Sequence, residues 1–503
     1  MRLLFMATSE KRPPRFMRRH LAVVHPQQHA LLVHRGEDGA LRLPFLDEPS
    51  GDPRQVGGIA EHLGPDLPLA SLGELAFVWF GPDQRADHID AEYLILCEPV
   101  GAPADEVLAR YEWVSDAEQI DLHAEPAEAL KELVDWLAVR AADSPLNLLP
   151  PHCLPGATAA LADAVASAIP TYSGANQFGG VCPERGLKQL QAWVLSNVWL
   201  SEDMVVKATT PLWPQEPAVT ALLHDIAPHT VPEVLALGAI SVPGSARASS
   251  WMATKRYPVL EPEPKVSTEA VLRAIAQLQA AALTRGLELR AAGVPKRGPL
   301  EVAADLNVLW EEAAATGLTD DEVARLPSLD AWLTRRLRRL AKTAPLLLTH
   351  GDLHTGNVLL TPADDPLPAH HGEDQAPTEP AASRPKLIVF DWTDAALAWP
   401  GVDLQTLTDF GLDRDPQPGE LDRLKREYVA AVLEAFTGAG QTELLGRIKD
   451  SLDAGTELAL AYHAVTYAHI IRSVPRRQKP FVGSEFLARA VRRLMGHLEA
   501  ARD

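Results

Sequence analysis

The sequence predicts an α+β protein in three parts: an α/β N-terminal region, a small β-rich lobe and a larger helical lobe. Three observations predict this. Up to about residue 142, short apolar runs rich in β-branched and aromatic residues (LAVVH, HALLVHR, ELAFVWF, EYLILCEPV) read as strands. From Leu187 the strand signal returns in LKQLQAWVLSNVWL, DMVVKAT and SSWMATKR. From about Ser267 long amphipathic helices dominate, broken only by the short apolar strands LLLTH, NVLLT and KLIVF.

In order along the chain, a helix is expected from Glu125 to Ala142, where Leu130, Leu133, Trp136 and Leu137 recur at helical spacing. A proline- and alanine-rich linker follows over 143–180, with one short helix around Leu161–Ile169 and a domain boundary beside it. The small lobe is expected over 181–258, with a helix starting near Gln215. The large lobe is expected over 259–503. In it LDAWLTRRLRRLAK carries Leu329, Leu333, Leu337 and Leu340 as an apolar stripe, and its arginines form the solvated face. The segment 362–385, rich in proline and acidic residues and holding His370 and His371, has the composition of a flexible insertion. Helices resume from Leu421.

Composition narrows the function. A chain of 503 residues exceeds one ordinary core, so two or three domains are expected. A net charge of −20 argues against a nucleic-acid binder, which needs a basic surface to displace counterions. Cys97, Cys153 and Cys182 are odd in number and far apart, which gives neither a disulfide framework nor paired metal-ligand spacing. The N-terminal apolar run is too short for a signal peptide and is followed by five basic residues between Lys11 and Arg19. No stretch has the length to cross a bilayer, so a cytoplasmic protein without membrane or nucleic-acid partners is expected.

The chemistry is concentrated in His350-Gly-Asp-Leu-His-Thr-Gly-Asn357. Phosphoryl transfer needs a carboxylate to orient and deprotonate the attacking hydroxyl, and ligands that hold Mg2+ on the phosphates. Asp352, followed five positions later by Asn357 on a loop after a strand, supplies a base and an amide oxygen for the metal. Asp391 closes the apolar run KLIVF, where a hairpin returning from NVLLT would bring a second carboxylate. Upstream, Lys207 closes the strand DMVVK and could hold phosphates, and Glu216, in the first turn of the next helix, could keep that lysine placed.

These motifs resemble the aminoglycoside phosphotransferase and choline kinase group, relatives of the protein kinases, over about residues 181–500. HGDLHTGN is similar to that group's catalytic loop, with Thr355 where proline is common; FDWTDA is similar to its metal-binding segment, and PGVDL to the aspartate-containing turn that follows. The resemblance implies a two-lobed protein-kinase-like fold, ATP or GTP with Mg2+ as cofactors, and a small hydroxylated molecule (aminoglycoside-, choline- or sugar-like) as acceptor. It implies Asp352 as catalytic base, Asn357 and Asp391 as metal ligands, Lys207 on the phosphates and Glu216 as its partner. His350 and His354 are expected to order the loop, and Asp403 to bond loop amides. No Gly-rich loop lies near Leu195–Asn197, where a phosphate-covering turn belongs.

Residues 1–142 carry a second resemblance. Leu43 to Gly64 looks like the loop-helix of Nudix hydrolases, but of that family's metal-binding glutamates only Glu61 remains, with Gly58 and His62 at positions where others belong. A separate Nudix-like domain without hydrolysis is therefore expected. The alternatives to a small-molecule kinase are a catalytically silent nucleotide-binding module and a hydrolase acting through the N-terminal domain.

Overall fold

The computed structural model describes residues 16–25, 28–49, 54–60, 62–63, 67–80, 89, 91–100, 105–139, 145–169, 187–243, 245–260, 265–362, 385–408, 417 and 419–501. The core of the expected insertion, Cys182 and Glu61 lie outside them.

The N-terminal part is built on strands β1 (Phe16–Val23), β2 (Leu31–Arg35), β3 (Leu41–Arg42), β4 (Phe45–Pro49), β5 (Leu69–Trp79), β6 (Ala91–Pro99) and β7 (Glu112–Val114). One sheet has the order β4-β1-β6-β5, with β1 and β6 parallel, and a second has the order β3-β2-β7. Every residue of β6 is buried, as a central strand covered on both faces requires. A short helix α1 (Asp105–Leu108) precedes β7, and α2 (Ala124–Val139) packs on β5 through Leu130, Leu133, Trp136 and Leu137, all buried.

The Nudix-like loop-helix is not formed. The described residues between 54 and 63 run as turns, with Gln55 bridged to Gln191. Their backbone groups bond outward, Val56 N to Leu190 O at 3.3 Å and Ala192 N to Arg54 O at 3.0 Å, so they are not available for a helical ladder. Gly57 and Gly58 weaken a helix here in any case.

The segment expected as a linker is folded where described. Residues 145–153 form two short 3-10 turns, and α3 (Ala157–Ala168) buries Leu161, Ala162 and Val165 against the next sheet. That sheet comprises β8 (Lys188–Ala192), β9 (Ser196–Leu200), β10 (Met204–Thr209), β11 (Val234–Ile240) and β12 (Ser249–Lys255) in the antiparallel order β11-β12-β10-β9-β8. Helix α4 (Glu216–Ile226) connects β10 to β11. Met204, Val206 and Ala208 of β10 face α3, so the alternation of the strand sends Lys207 to the opposite face.

The N-terminal part is not separate from this sheet. Ser71 N donates to Gln189 Oε1 at 2.8 Å and Gln189 Nε2 returns a bond to Ser71 O at 2.7 Å, both buried. Asn197 Nδ2 donates to His152 O at 2.8 Å, and His152 Nδ1 meets Ser249 Oγ at 2.9 Å, with burial pulling that imidazole down to about 4. One apolar cluster runs from Leu31 and Leu94 through Trp136 to the C-terminal helices.

The helical lobe contains α5 (Thr268–Ala282), α6 (Gly286–Ala291), α7 (Pro299–Ala304), α8 (Leu306–Ala315), α9 (Asp320–Thr343), α10 (Val402–Thr408), α11 (Glu420–Gly438), α12 (Leu445–Ser473) and α13 (Ser484–Ala500). Helix α9 starts on a capping box, Thr319 with Glu322, and buries Leu329, Leu333, Leu337 and Leu340 as its periodicity predicts. Four short strands cross this lobe: β13 (Leu347–Thr349), β14 (Val358–Thr361), β15 (Lys386–Val389) and β16 (Ala396–Ala398), paired as β13–β16 and β14–β15. No helix among the described residues is long and apolar enough to cross a membrane.

Candidate active site

Three of the residues singled out in the sequence converge on one ammonium group. Lys207 stands on β10, the central strand of its sheet, and α4 begins at Glu216. The β14–β15 hairpin pairs Val358 with Val389 and so sets Asp391 beside the loop that holds Asn357. Lys207 Nζ donates to Glu216 Oε1 at 2.8 Å, Asp391 Oδ1 at 2.7 Å and Thr393 Oγ1 at 2.9 Å. An ammonium has three N–H donors, and all three are engaged. Thr393 Oγ1 also donates to Asp391 Oδ1. Thr393 was not legible in the sequence, because a threonine beside a metal-binding aspartate carries no distinguishing pattern.

The electrostatics follow from this contact. Burial opposes the charge on Lys207, but the Asp391 and Glu216 carboxylates outweigh it and move the lysine upward, keeping it cationic. Burial raises Asp391, and Lys207 overrides that and draws it down to about 2. Glu216 is fully buried, and burial moves its carboxyl upward against the pull of Lys207. Asp391 adopts φ 66, the one positive φ among the described non-glycine residues, and this conformation turns its carboxylate toward the lysine at the start of a short 3-10 turn.

The catalytic-loop motif is held by histidines and a buried aspartate. Asp403 Oδ2 accepts from His350 N at 3.1 Å and its Oδ1 from Gly351 N at 2.9 Å, the amide-bonding role expected from sequence. His350 Nδ1 accepts from Asp352 N at 3.3 Å, so Nε2 carries the proton that it donates to Phe390 O at 2.9 Å. Gly351 sits at φ +84, and a Cβ there would meet Asp394 O at 2.3 Å, so only glycine fits. His354 Nδ1 accepts from Gly356 N at 3.0 Å and its Nε2 lies 3.6 Å from Asp352 Oδ2.

Asp352 ends this loop with its carboxylate about a third exposed, at 36%. Burial pushes its carboxyl up, but the His354 hydrogen bond and charge bring it below the ordinary value, so it is ionised at neutral pH. Asn357 Nδ2 donates to Asp352 O at 3.0 Å, which leaves its side-chain oxygen as the available ligand atom. Asp394 stands close by: burial and then the Asp352 charge push it up to about 7, and its Oδ1 is buried with no hydrogen-bond partner. This carboxyl too was not singled out in the sequence.

The strand-loop-strand order, with its lysine, glutamate, aspartate and asparagine, is on the page before any comparison is made. Residues 189–369 match the phosphotransferase enzyme family. The match covers β8 through the catalytic loop and includes Lys207, Glu216, Asp352 and Asn357, while Asp391 lies beyond it. It supports phosphotransferase as the general class. No curated protein matches the sequence. Among solved structures, the chain is similar to a choline kinase from Cryptosporidium parvum Iowa II (TM-score 0.41, 11% identity, 68% of this chain and 96% of that one). It is also similar to APH(2")-IIia in complex with GDP and kanamycin (TM-score 0.39, 13% identity, 67% and 98%). A third is a macrolide 2'-phosphotransferase type I (TM-score 0.35, 17% identity, 68% and 97%). The phosphotransferase-family region thus begins at the β8 edge that the N-terminal part covers, and the family match does not reach that part.

Proposed function

We propose that the protein transfers the γ-phosphoryl group of ATP or GTP to a hydroxyl of a small molecule, with Asp352 as catalytic base. The observation that carries this reading is the Lys207 contact with both Glu216 and Asp391, formed between the sheet lobe and the strand ends beside Asp352. A buried ammonium held by two carboxylates is poised to receive phosphate oxygens once Asp391 turns to a cation.

In this reading Asp352, ionised and partly exposed, accepts a hydrogen bond from the acceptor hydroxyl and takes its proton as the new P–O bond forms and the bond to the β-phosphate oxygen breaks. Lys207 neutralises phosphate charge and Glu216 keeps the lysine in place. Asn357 and Asp391 offer one amide oxygen and one ionised carboxylate, a hard donor pair that fits Mg2+ when phosphates complete the shell. Bound there, Mg2+ would neutralise charge on the transferring phosphoryl group.

The test is direct detection of a phosphorylated product by mass spectrometry. Purified full-length protein is given Mg2+, ATP or GTP, and a panel of hydroxylated amines, sugars and aminoglycosides. A product 80 mass units (about one PO3 group) heavier than one acceptor supports the reading. Nucleotide binding with no phosphorylated product from any acceptor favours a silent binding module instead.

A further inference from the structure

The large lobe carries an arginine whose charge no carboxylate meets. Residues 295–297 run beside β16, with Leu397 N donating to Pro295 O at 2.9 Å and Arg297 N to Leu397 O at 3.0 Å. Strand β16 pairs with β13, which leads straight into the Asp352 loop, so this ladder fixes Arg297 near the reacting centre. The charges of Arg297 and Asp352 both act on Asp394, and both act on His463.

The guanidinium is held in one plane. Its carbon lies 4.3 Å from the centre of the Tyr462 ring, and one terminal nitrogen donates to Thr466 Oγ1 at 2.7 Å, both partners standing on one face of α12. Among the described residues no carboxylate comes within ion-pair distance of it, and Thr466 is its one side-chain hydrogen-bond partner. Most of its five N–H donors remain open.

Arg297 also lines a cavity of about 290 Å3, near the lower end of small-ligand pockets. The other charges there are matched: Lys296 pairs with Glu301 at 2.7 Å, and Asp305 meets His469 at 3.1 Å. Val302 and Val465 supply apolar wall. A planar cation with open donors, stacked on an aromatic ring and partly shielded from water, is built for the two oxygens of a carboxylate or phosphate.

We propose that Arg297 determines acceptor specificity, and that the acceptor is a small hydroxylated molecule bearing an oxyanion, which docks on the guanidinium while its hydroxyl faces Asp352. This rests on the phosphotransferase reading. It narrows the acceptor to hydroxy acids, sugar acids, hydroxy amino acids or phosphate esters, and away from simple amino alcohols.

Matched acceptors that differ in the anion test it: glycerate and glycerol 3-phosphate against glycerol, gluconate against glucitol, and serine against ethanolamine. Each is given to the full-length protein with Mg2+ and ATP or GTP, and nucleotide consumption is followed. An anionic member should exceed its partner at least tenfold in kcat/KM, as a charge-assisted pair would give. Arg297→Met should lower that kcat/KM at least tenfold through the acceptor KM, leaving the nucleotide KM unchanged, and Arg297→Lys should fall between. Preference for the uncharged or amine member in every pair, or anion preference that survives Arg297→Met, overturns the proposal and leaves the kinase reading standing. An equal loss of kcat for both members of a pair also overturns it, because Arg297 would then act through Asp394. If no acceptor is turned over the proposal fails, and nucleotide binding that is sensitive to Lys207→Met decides separately whether the phosphotransferase reading survives.

Discussion

Lys207 Nζ and Asp391 Oδ1 lie 2.7 Å apart although 184 residues separate them in sequence. This contact joins the β-sheet lobe to the strand ends of the helical lobe, and it draws Asp391 down to about 2 while Glu216 completes the pair on the other side.

Removing the lysine leaves a fully buried glutamate without its counter-charge. Lys207→Met should cost about 3 kcal/mol of stability in urea unfolding and abolish nucleotide binding. Adding Glu216→Leu should restore most of the stability but none of the binding. A double variant as unstable as the single one would contradict this account of the pair.

The catalytic loop depends on a glycine against a backbone carbonyl. Gly351→Ala would drive a Cβ to within 2.3 Å of Asp394 O at φ +84. The strain, about 1–3 kcal/mol, should displace Asp352 and lower turnover roughly a hundredfold. Turnover at the wild-type level would mean that the loop geometry is less constrained than these contacts require.

Asp394 predicts a pH effect with a definite sign. Its carboxyl, pushed up to about 7 from 3.8, holds a proton more tightly in the folded state than in the unfolded chain. Stability from this group is therefore complete below about pH 4 and is lost as pH rises through 7. Asp394→Asn should raise the melting temperature at pH 8 and leave it unchanged at pH 4. A gain that is the same at both pH values would refute the assignment.

The N-terminal part and the adjoining sheet should not fold independently. A chain starting at residue 187 would lose the Ser71 partner of Gln189, the His152 partner of Asn197, and α3 from the back of the sheet. It should be recovered insoluble or as a partly folded species with weak near-ultraviolet circular dichroism. In the full chain, Gln189→Leu should cost about 2 kcal/mol by leaving buried backbone groups without partners.

The strands and helices around the site were legible because local pattern and tertiary burial agree there. The leucine stripe of α9 is buried as its spacing requires, and β14 and β15 form the hairpin that the two apolar runs suggest. Lys207, Glu216, Asp352, Asn357 and Asp391 could be singled out because each closes or opens a recognisable element. Thr393, Asp394 and Arg297 could not, because their significance comes from contacts across the fold rather than from any local period. The loop-helix expected before Gly64 failed for a related reason. Arg54 and Val56 give their backbone hydrogen bonds to β8, a long-range pairing that no window of the sequence displays. The proline-rich stretch before residue 170 likewise resembled a linker by composition, yet α3 buries three apolar side chains from it.

The most direct test of the central claim is acceptor-stimulated, Mg2+-dependent nucleotide consumption by the wild type and by Asp352→Asn, with nucleotide affinity measured on both. The account predicts that the variant binds nucleotide as the wild type does and turns over at least a hundredfold more slowly, the scale of a lost general base. Near-normal turnover by Asp352→Asn would contradict it.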